Sequence, residues 1–242
     1  RVLKVITEND LAKSVLTSNG EIKADIVVSG ADIKHVYTKL LDKKYYPTKI
    51  LEQEKSLSGL IFYWGIKKEF QQLSLHNILF SENSEAEFNS FFKDKTPYHD
   101  PTIYINITSK VTPTDAPAGC ENWFVMINVP HNASGEPIAY VQEMRKHIVA
   151  KINRVLKTDI EQYIEQEGTL DPYLIEQRTS SSGGSLYGNS SNNKYAAFLR
   201  HANNSSKIKN MYFCGGSVHP GGGIPLGLLG AKIVSEMIAE KH

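Results

Sequence analysis

Cysteine is nearly absent. Cys120 and Cys214 are the only two in 242 residues, far apart and without metal-ligand spacing. That excludes a disulfide-built scaffold or a zinc ribbon and fits free buried thiols in a reducing cytosol. Excess charge is lacking too: 27 Lys and Arg against 26 Asp and Glu leave a formal charge of +1, which points to neither nucleic acid nor an acidic substrate. No run approaches the roughly 18 apolar residues of a membrane-spanning helix, and no signal-peptide pattern is visible. Without such a signal, the Asn-x-Ser/Thr sequons at Asn106, Asn132, Asn189, Asn203 and Asn204 read as chance. There is no P-loop, serine triad, paired-carboxylate constellation or internal repeat. His131, His201 and His219 read as structural or surface residues, so no metal site is expected and no catalytic base is assigned.

What is present is an ordinary globular composition, 40% apolar and 22% charged, long enough for one large or two small cores. Residues 2–7 and 11–17 read as strands, and Asn19-Gly20 is a hairpin signal. Residues 25–30 form a short continuous apolar run, the pattern of a strand buried on both faces of a parallel sheet. Ala31-Asp32 then opens a short helix over residues 33–41. The lysine- and tyrosine-rich stretch 43–49 marks a change of domain.

Beyond it the pattern alternates. Residues 57–66, 77–80, 102–108 and 123–129 predict strands of a mixed or antiparallel sheet carrying Phe62, Tyr63, Trp64, Tyr104 and Phe124, as core or as the wall of an apolar cavity. Residues 136–157 predict a helix. Its stripe of Ile138, Val141, Met144, Ile148, Ile152 and Val155 faces the sheet, and Glu143, Arg145, Lys146, Lys151 and Arg154 lie on the opposite, solvated face. Residues 160–168 lead back to the first domain. Residues 179–194 have a Ser, Gly and Asn content that could mark a flexible surface loop.

Residues 211–226, Met-Tyr-Phe-Cys-Gly-Gly-Ser-Val-His-Pro-Gly-Gly-Gly-Ile-Pro-Leu, are the most informative. A short apolar strand runs into five glycines and two prolines and then into a helix over 227–239. Glycine permits positive φ and close approach of another molecule to the backbone, and proline suits the first helical turn. The helix N-terminus, with its N–H groups and the positive end of its dipole, suits an electron-rich or anionic ligand. A plain turn joining strand to helix is the other reading of the same residues.

Residues 212–234 resemble the C-terminal flavin signature of the phytoene desaturase family, FAD-dependent carotenoid desaturases within the amine-oxidase-like flavoproteins. Residues 24–32, Phe62-Tyr63-Trp64-Gly65 with 76–80, and 184–188 resemble the same family in the same order, so the resemblance spans nearly the whole chain. It implies a mixed α/β fold. Residues 1–41 and 178–242 would be the C-terminal part of a Rossmann-like FAD-binding domain, and 51–167 a substrate domain on a mixed or antiparallel sheet with helices.

It implies cofactor contacts at Gly215, Gly216, His219, Pro220, Gly221, Gly222, Gly223, Ile224 and Pro225. It also implies substrate contacts at Tyr63, Trp64 and Tyr187, with 184–188 near flavin and substrate and Phe198-Leu199-Arg200 leading to the final strand. The family opens with a strand, a Gly-x-Gly-x-x-Gly turn and a helix for the FAD pyrophosphate. That fingerprint is absent here, so the expectation is the C-terminal half of a cytoplasmic, peripherally membrane-associated enzyme. Its partners would be a carotenoid, a membrane surface and its own N-terminal half. A protoporphyrinogen or amine oxidase, or an inert folded half, are the alternatives.

Overall fold

The computed structural model describes residues 1–190, 192 and 199–241. The expected contribution of Phe198 and most of 191–194 lies outside the described residues. Two compact units emerge: Arg1–Ser56 with Glu176–His242, and Leu57–Ile175.

The first unit begins with an antiparallel sheet of β1 (Val2–Glu8), β2 (Leu11–Thr17) and β3 (Gly20–Lys23), in that order. Asn9 and Asp10 turn between β1 and β2 at φ 48° and 57°, the left-handed region that Asn and Asp tolerate. Asn19-Gly20 does mark a hairpin, with Thr17 opposite Gly20. The hairpin's second strand, β3, is not betrayed by alternation because all four of its residues are exposed. The apolar run at 25–30 narrows to β4 (Val27–Ser29). It is not buried on both faces: Val27 joins the core while Val28 is 47% exposed.

The Asp32 carboxylate accepts from the N–H groups of Lys34 and His35 at 2.9 and 3.3 Å. It caps α1 (Ile33–His35), which continues as a wider turn through Leu40. After α2 (Thr48–Leu51), Tyr45 and Leu51 are buried with Val5, Ile33 and Val36. The 43–49 stretch therefore packs inside this unit.

The second unit is a five-stranded antiparallel sheet in the order β6-β7-β8-β5-β9. Its strands are β5 (Ser58–Ile66), β6 (His76–Leu79), β7 (Ile103–Asn106), β8 (Glu121–Val129) and β9 (Ile164–Leu170), with α3 (Ser84–Asn89) between β6 and β7. β9 corrects the reading of 160–168 as a connection. It pairs with β5 along its whole length, and its Glu-Gln-Glu centre is exposed, as suits an edge strand.

One sheet face buries Leu60, Phe62, Trp64, Ile105, Trp123 and Val125 against Met144, Ile148, Val149 and Ile152 of α4 (Val141–Leu156). The helix starts five residues later than expected, because Pro137 and the Ser134-Gly135 turn precede it, and Ile138 lies outside it. Val155 is 48% exposed. Two of the expected solvated charges are not solvated. Lys151 is 4% exposed, pairing with Asp100 at 2.9 Å and donating to the Pro101 carbonyl at 2.8 Å. Arg145 reaches Glu167 and Glu161.

α5 (Pro172–Thr179) carries the chain back to the first unit, where β10 (Met211–Phe213) lies parallel to β4 in register Met211–Val27 and Phe213–Ser29. β10 is buried throughout. The chain ends on α6 (Ile224–Ala239). Both cysteines are free and half-buried, not fully buried as expected. No helix among the described residues is long and apolar enough to cross a membrane, and no group of three His, Cys, Asp or Glu residues there is placed to hold a metal.

Candidate functional site

In the first unit, the carboxyl ends of the parallel pair β4 and β10 open side by side. The Cys214 N–H donates to the Ser29 carbonyl at 3.0 Å. Gly215, at φ 105°, lies so close to Gly30 that a β-carbon there would be 3.3 Å from the Gly30 oxygen. The carboxyl edge of parallel strands is where such sheets take ligands. Here it bears a pocket of about 150 Å³ lined by Gly30, Asp32, Ser185, Gly188, Gly216 and Ser217 among others.

The Ser217 hydroxyl fixes this edge by accepting from the Ile33 N–H at 2.9 Å. Gly188 lies directly against Ser217: a β-carbon on Gly188 would be 2.7 Å from the Ser217 Cα. Ser185 is 1% exposed, yet its hydroxyl has no hydrogen-bond partner among the described residues.

The loop is held by side chains to which the sequence motifs assign no such role. Arg200, 9% exposed, donates from Nη1 to the carbonyls of Tyr187 and Gly216 at 2.8 and 3.1 Å, and from Nη2 to that of Asn189 at 3.1 Å. Burial lowers its pKa. Asn203 Nδ2 donates to the Phe213 and His219 carbonyls at 3.1 and 2.8 Å. His201 accepts the His219 N–H on its own carbonyl at 2.9 Å. Its ring places Nδ1 2.7 Å from the Ala202 carbonyl and Nε2 3.1 Å from the Tyr37 hydroxyl. A carbonyl only accepts, so Nδ1 carries the proton and the Tyr37 O–H donates to Nε2. Burial lowers the His201 pKa below its usual value, against the opposing Ala202 hydrogen bond. Lys55 is also buried, donating to Asn189 Oδ1 at 2.7 Å, and burial lowers its pKa.

The expected contact residues divide sharply. Gly221 and Gly223 stand at φ 139° and 95°, and the His219–Pro220 peptide is cis. Gly223 has no described residue within 4 Å of where a β-carbon would stand, whereas at Gly222 that position is filled by the Tyr187 ring, 2.1 Å away. Gly223 caps α6 without a side-chain bond, and a proline occupies the helix's first turn. The first-turn N–H groups thus face outward without an acidic side chain in that turn, the polarity that favours negative charge. His219 is exposed. Around the helix start Ile224, Leu226, Leu228 and Leu229 are 81, 40, 68 and 46% exposed, as is Tyr187 at 49%.

The expected substrate residues of the second unit lie on opposite faces of its sheet. Tyr63 is 45% exposed on the face away from α4, where it meets Phe124 edge-on at 5.6 Å. Trp64 is 2% exposed on the helix face, with Arg145 5.9 Å from its ring. This is a correction of side: strand alternation sends neighbours to opposite faces, so the Trp64 indole is core beneath the face that Tyr63 presents. The open face holds a pocket of about 600 Å³.

Two solved structures share the fold. One is an oxidoreductase from Methanosarcina mazei, at TM-score 0.59 and 12% identity over 98% of this chain and 48% of that one. The other is a putrescine oxidase bound to putrescine, at TM-score 0.58 and 12% identity over 98% and 48%. The architecture of this chain is thus one that both solved structures contain.

Sequence similarity narrows it. The chain is 54% identical over 237 residues to a 1-hydroxycarotenoid 3,4-desaturase of Flavobacterium sp. (strain P99-3), covering 98% of this chain and 49% of that protein. It is 32% identical to a 4,4'-diapolycopene oxygenase of Methylomonas sp (98% and 48%) and 29% identical to a phytoene desaturase of Fusarium fujikuroi (94% and 44%). No family profile matches. Over nearly its whole length the chain is similar to carotenoid desaturases and oxygenases, and it spans about half the length of these relatives.

Proposed function

We propose that this chain is the C-terminal half of an FAD-dependent carotenoid desaturase. In this reading its glycine loop faces the flavin ring and its antiparallel sheet shelters the polyene. The observation that carries the reading is the 54% identity, sustained over 237 residues, to a desaturase of hydroxylated carotenoids.

The first unit suits a flat cofactor on its own evidence. Among the described residues, none stands beside Gly223, no side chain caps the α6 N-terminus, and the buried Ser185 hydroxyl beside the pocket lacks a partner. Gly215, Gly216, Gly221, Gly222, Gly223, Ile224 and Pro225 would hold the ring through backbone contacts, with His219 and Pro220 shaping the bend. When bound, FAD supplies the two-electron acceptor for removing hydrogen from a C–C bond. The chain's own contribution is position and polarity. The α6 N-terminus favours negative charge at the edge it faces, as backbone donors favour an oxyanion, and the exposed leucines and Ile224 keep water from that edge.

Tyr63 on the open sheet face and Tyr187 beside the loop would contact the polyene, with Trp64 packing the sheet from below. A carotenoid is insoluble in water, so the enzyme would collect it from a bilayer by peripheral attachment in the cytoplasm. The other partner is the N-terminal half that supplies the pyrophosphate site. An amine or porphyrinogen substrate is disfavoured by the carotenoid relatives. The test is to express the chain together with its N-terminal half and measure bound FAD and desaturation of liposome-held carotenoid. Non-covalent flavin with conversion supports the reading; a flavin-free assembly or inert polyene overturns it.

A further inference from the structure

At its carboxyl edge the parallel pair β4 and β10 carries the glycine loop. At its amino edge, about 10 Å of strand away, lies a separate pocket of about 610 Å³ within the first unit. Lys207, Lys209, Asn210, Tyr212 and Lys241 line it together with Asp10 and others. None of the side chains that fasten the glycine loop is among them.

The lining is cationic in a chain whose formal net charge is only +1. Lys207, Lys209 and Lys241 have no carboxylate partner among the described residues. Asp10, the acidic residue of the lining, is already engaged. Lys44 stands 3.1 Å from its carboxylate, and the Tyr45 hydroxyl donates to it at 2.7 Å. The backbone that carries two of the lysines is pinned. The buried Ser205 hydroxyl accepts from the N–H groups of Lys207 and Ile208 at 3.2 and 3.0 Å. The Lys209 N–H donates to the Asp10 carbonyl at 2.8 Å, and the Lys209 carbonyl accepts from the Ala12 N–H at 3.1 Å. Lys241 is drawn over the Tyr212 ring, 5.7 Å from its centroid. Tyr212 is 2% exposed, yet its hydroxyl has no hydrogen-bond partner among the described residues.

Three ammonium groups on one concave surface, with a phenolic O–H donor among them, match a group that bears several negative oxygens. We propose that this pocket binds a phosphate group, its charge met by Lys207, Lys209 and Lys241 and one oxygen accepting from the Tyr212 hydroxyl. A carboxylate, with a single charge over two oxygens, would leave most of this set unused. A buried hydroxyl without a partner costs stability, and a phosphate oxygen removes that cost. The site is distinct from the glycine loop and rests on neither the flavin nor the carotenoid reading.

The experiment titrates the 242-residue chain calorimetrically with inorganic pyrophosphate at constant ionic strength. In a second arm the chain is sedimented with phosphatidylcholine vesicles, with and without phosphatidic acid. Pyrophosphate should bind saturably. Tyr212→Phe, which removes only the hydroxyl, should weaken that binding about 10-fold, the scale of a hydrogen bond to a charged group. Lys209→Gln and Lys241→Gln should each weaken it about 3-fold, as for exposed charge pairs. Lys232→Gln, exposed on α6 and outside the lining, should leave it unchanged. Phosphatidic acid binding that falls in the same variants makes the source a lipid headgroup, whereas binding of pyrophosphate alone makes it a soluble phosphate. If Tyr212→Phe loses its far-UV circular dichroism, the Lys209→Gln/Lys241→Gln double variant decides, because both lysines are exposed. Saturable binding of neither probe, or binding that either a folded Tyr212→Phe chain or the lysine pair leaves unchanged, overturns the proposal.

Discussion

Tyr187 and Gly222 provide the sharpest test of how the glycine loop is built. A β-carbon at Gly222 would sit 2.1 Å from Tyr187 Cδ1 and 2.8 Å from Cγ, against about 3.5–4.0 Å for a comfortable carbon contact. The ring cannot retreat with its backbone, because the Tyr187 N–H donates to Ser56 Oγ at 3.0 Å and its carbonyl accepts from Arg200 at 2.8 Å. It must swing about its own side-chain bonds or push the loop. Gly222→Ala should therefore destabilise the first unit by about 2 kcal/mol, in the range of about 1–3 kcal/mol typical of overpacking. Tyr187→Ala alone should cost less than about 1 kcal/mol, since the ring is half exposed and its polar anchors are backbone. In the double variant the clash is gone, so the cycle should show a favourable coupling of about 1.5–2 kcal/mol. Urea unfolding of the four proteins, followed by far-UV circular dichroism, measures it. Additive effects within about 0.3 kcal/mol would refute the contact.

Gly223→Val in the assembled enzyme should abolish bound flavin while the second unit stays folded. The φ of 95° strains a branched residue by about 1–3 kcal/mol, and its side chain enters the open space at the helix start; unchanged flavin absorbance would make the loop a plain turn. His201 has a pKa lowered by burial, so the unfolded chain binds protons first as pH falls. Stability of the first unit should hold above the unfolded value of about 6.5 and drop as pH falls through it. Urea midpoints taken from neutral to mildly acidic pH should show a shallower slope for His201→Gln. Lys151→Met should destabilise the second unit by about 3 kcal/mol, because Asp100 and the Pro101 carbonyl lose a buried partner. A loss under about 1 kcal/mol by chemical denaturation would count against that burial.

Strands that touch the core announce themselves in the sequence. Phe62, Trp64, Ile103, Ile105, Val125 and Ile127 alternate because every second residue must be dry. β3, exposed along its length, and β9, exposed along its centre, do not, since an exposed edge has no apolar partner to alternate with. Spacing places the start of α4 too early, because Ile138 continues the helical stripe although Pro137 stands before it; periodicity does not register where backbone donors run out. Lys151 and Arg145 read as solvent-facing charges in the sequence, yet each is tied by a partner distant along the chain. The candidate loop is legible through its glycines. Its fastenings, Arg200, Asn203, Ser217 and the Tyr187 ring, are not, because each contact joins segments whose proximity only the fold creates.

The near contact of Gly188 with Ser217 bears on motion. Two backbones meeting where a β-carbon would stand have no compressible layer of side chain between them, so neither can advance toward the other. Arg200 ties the Tyr187 and Gly216 carbonyls together and resists their separation. Blocked from closing and tethered against opening, segments 185–188 and 215–218 are left with displacement as a pair. A ligand that shifts one would drag the other with it, and the Ser217–Ile33 hydrogen bond passes that shift to the start of α1.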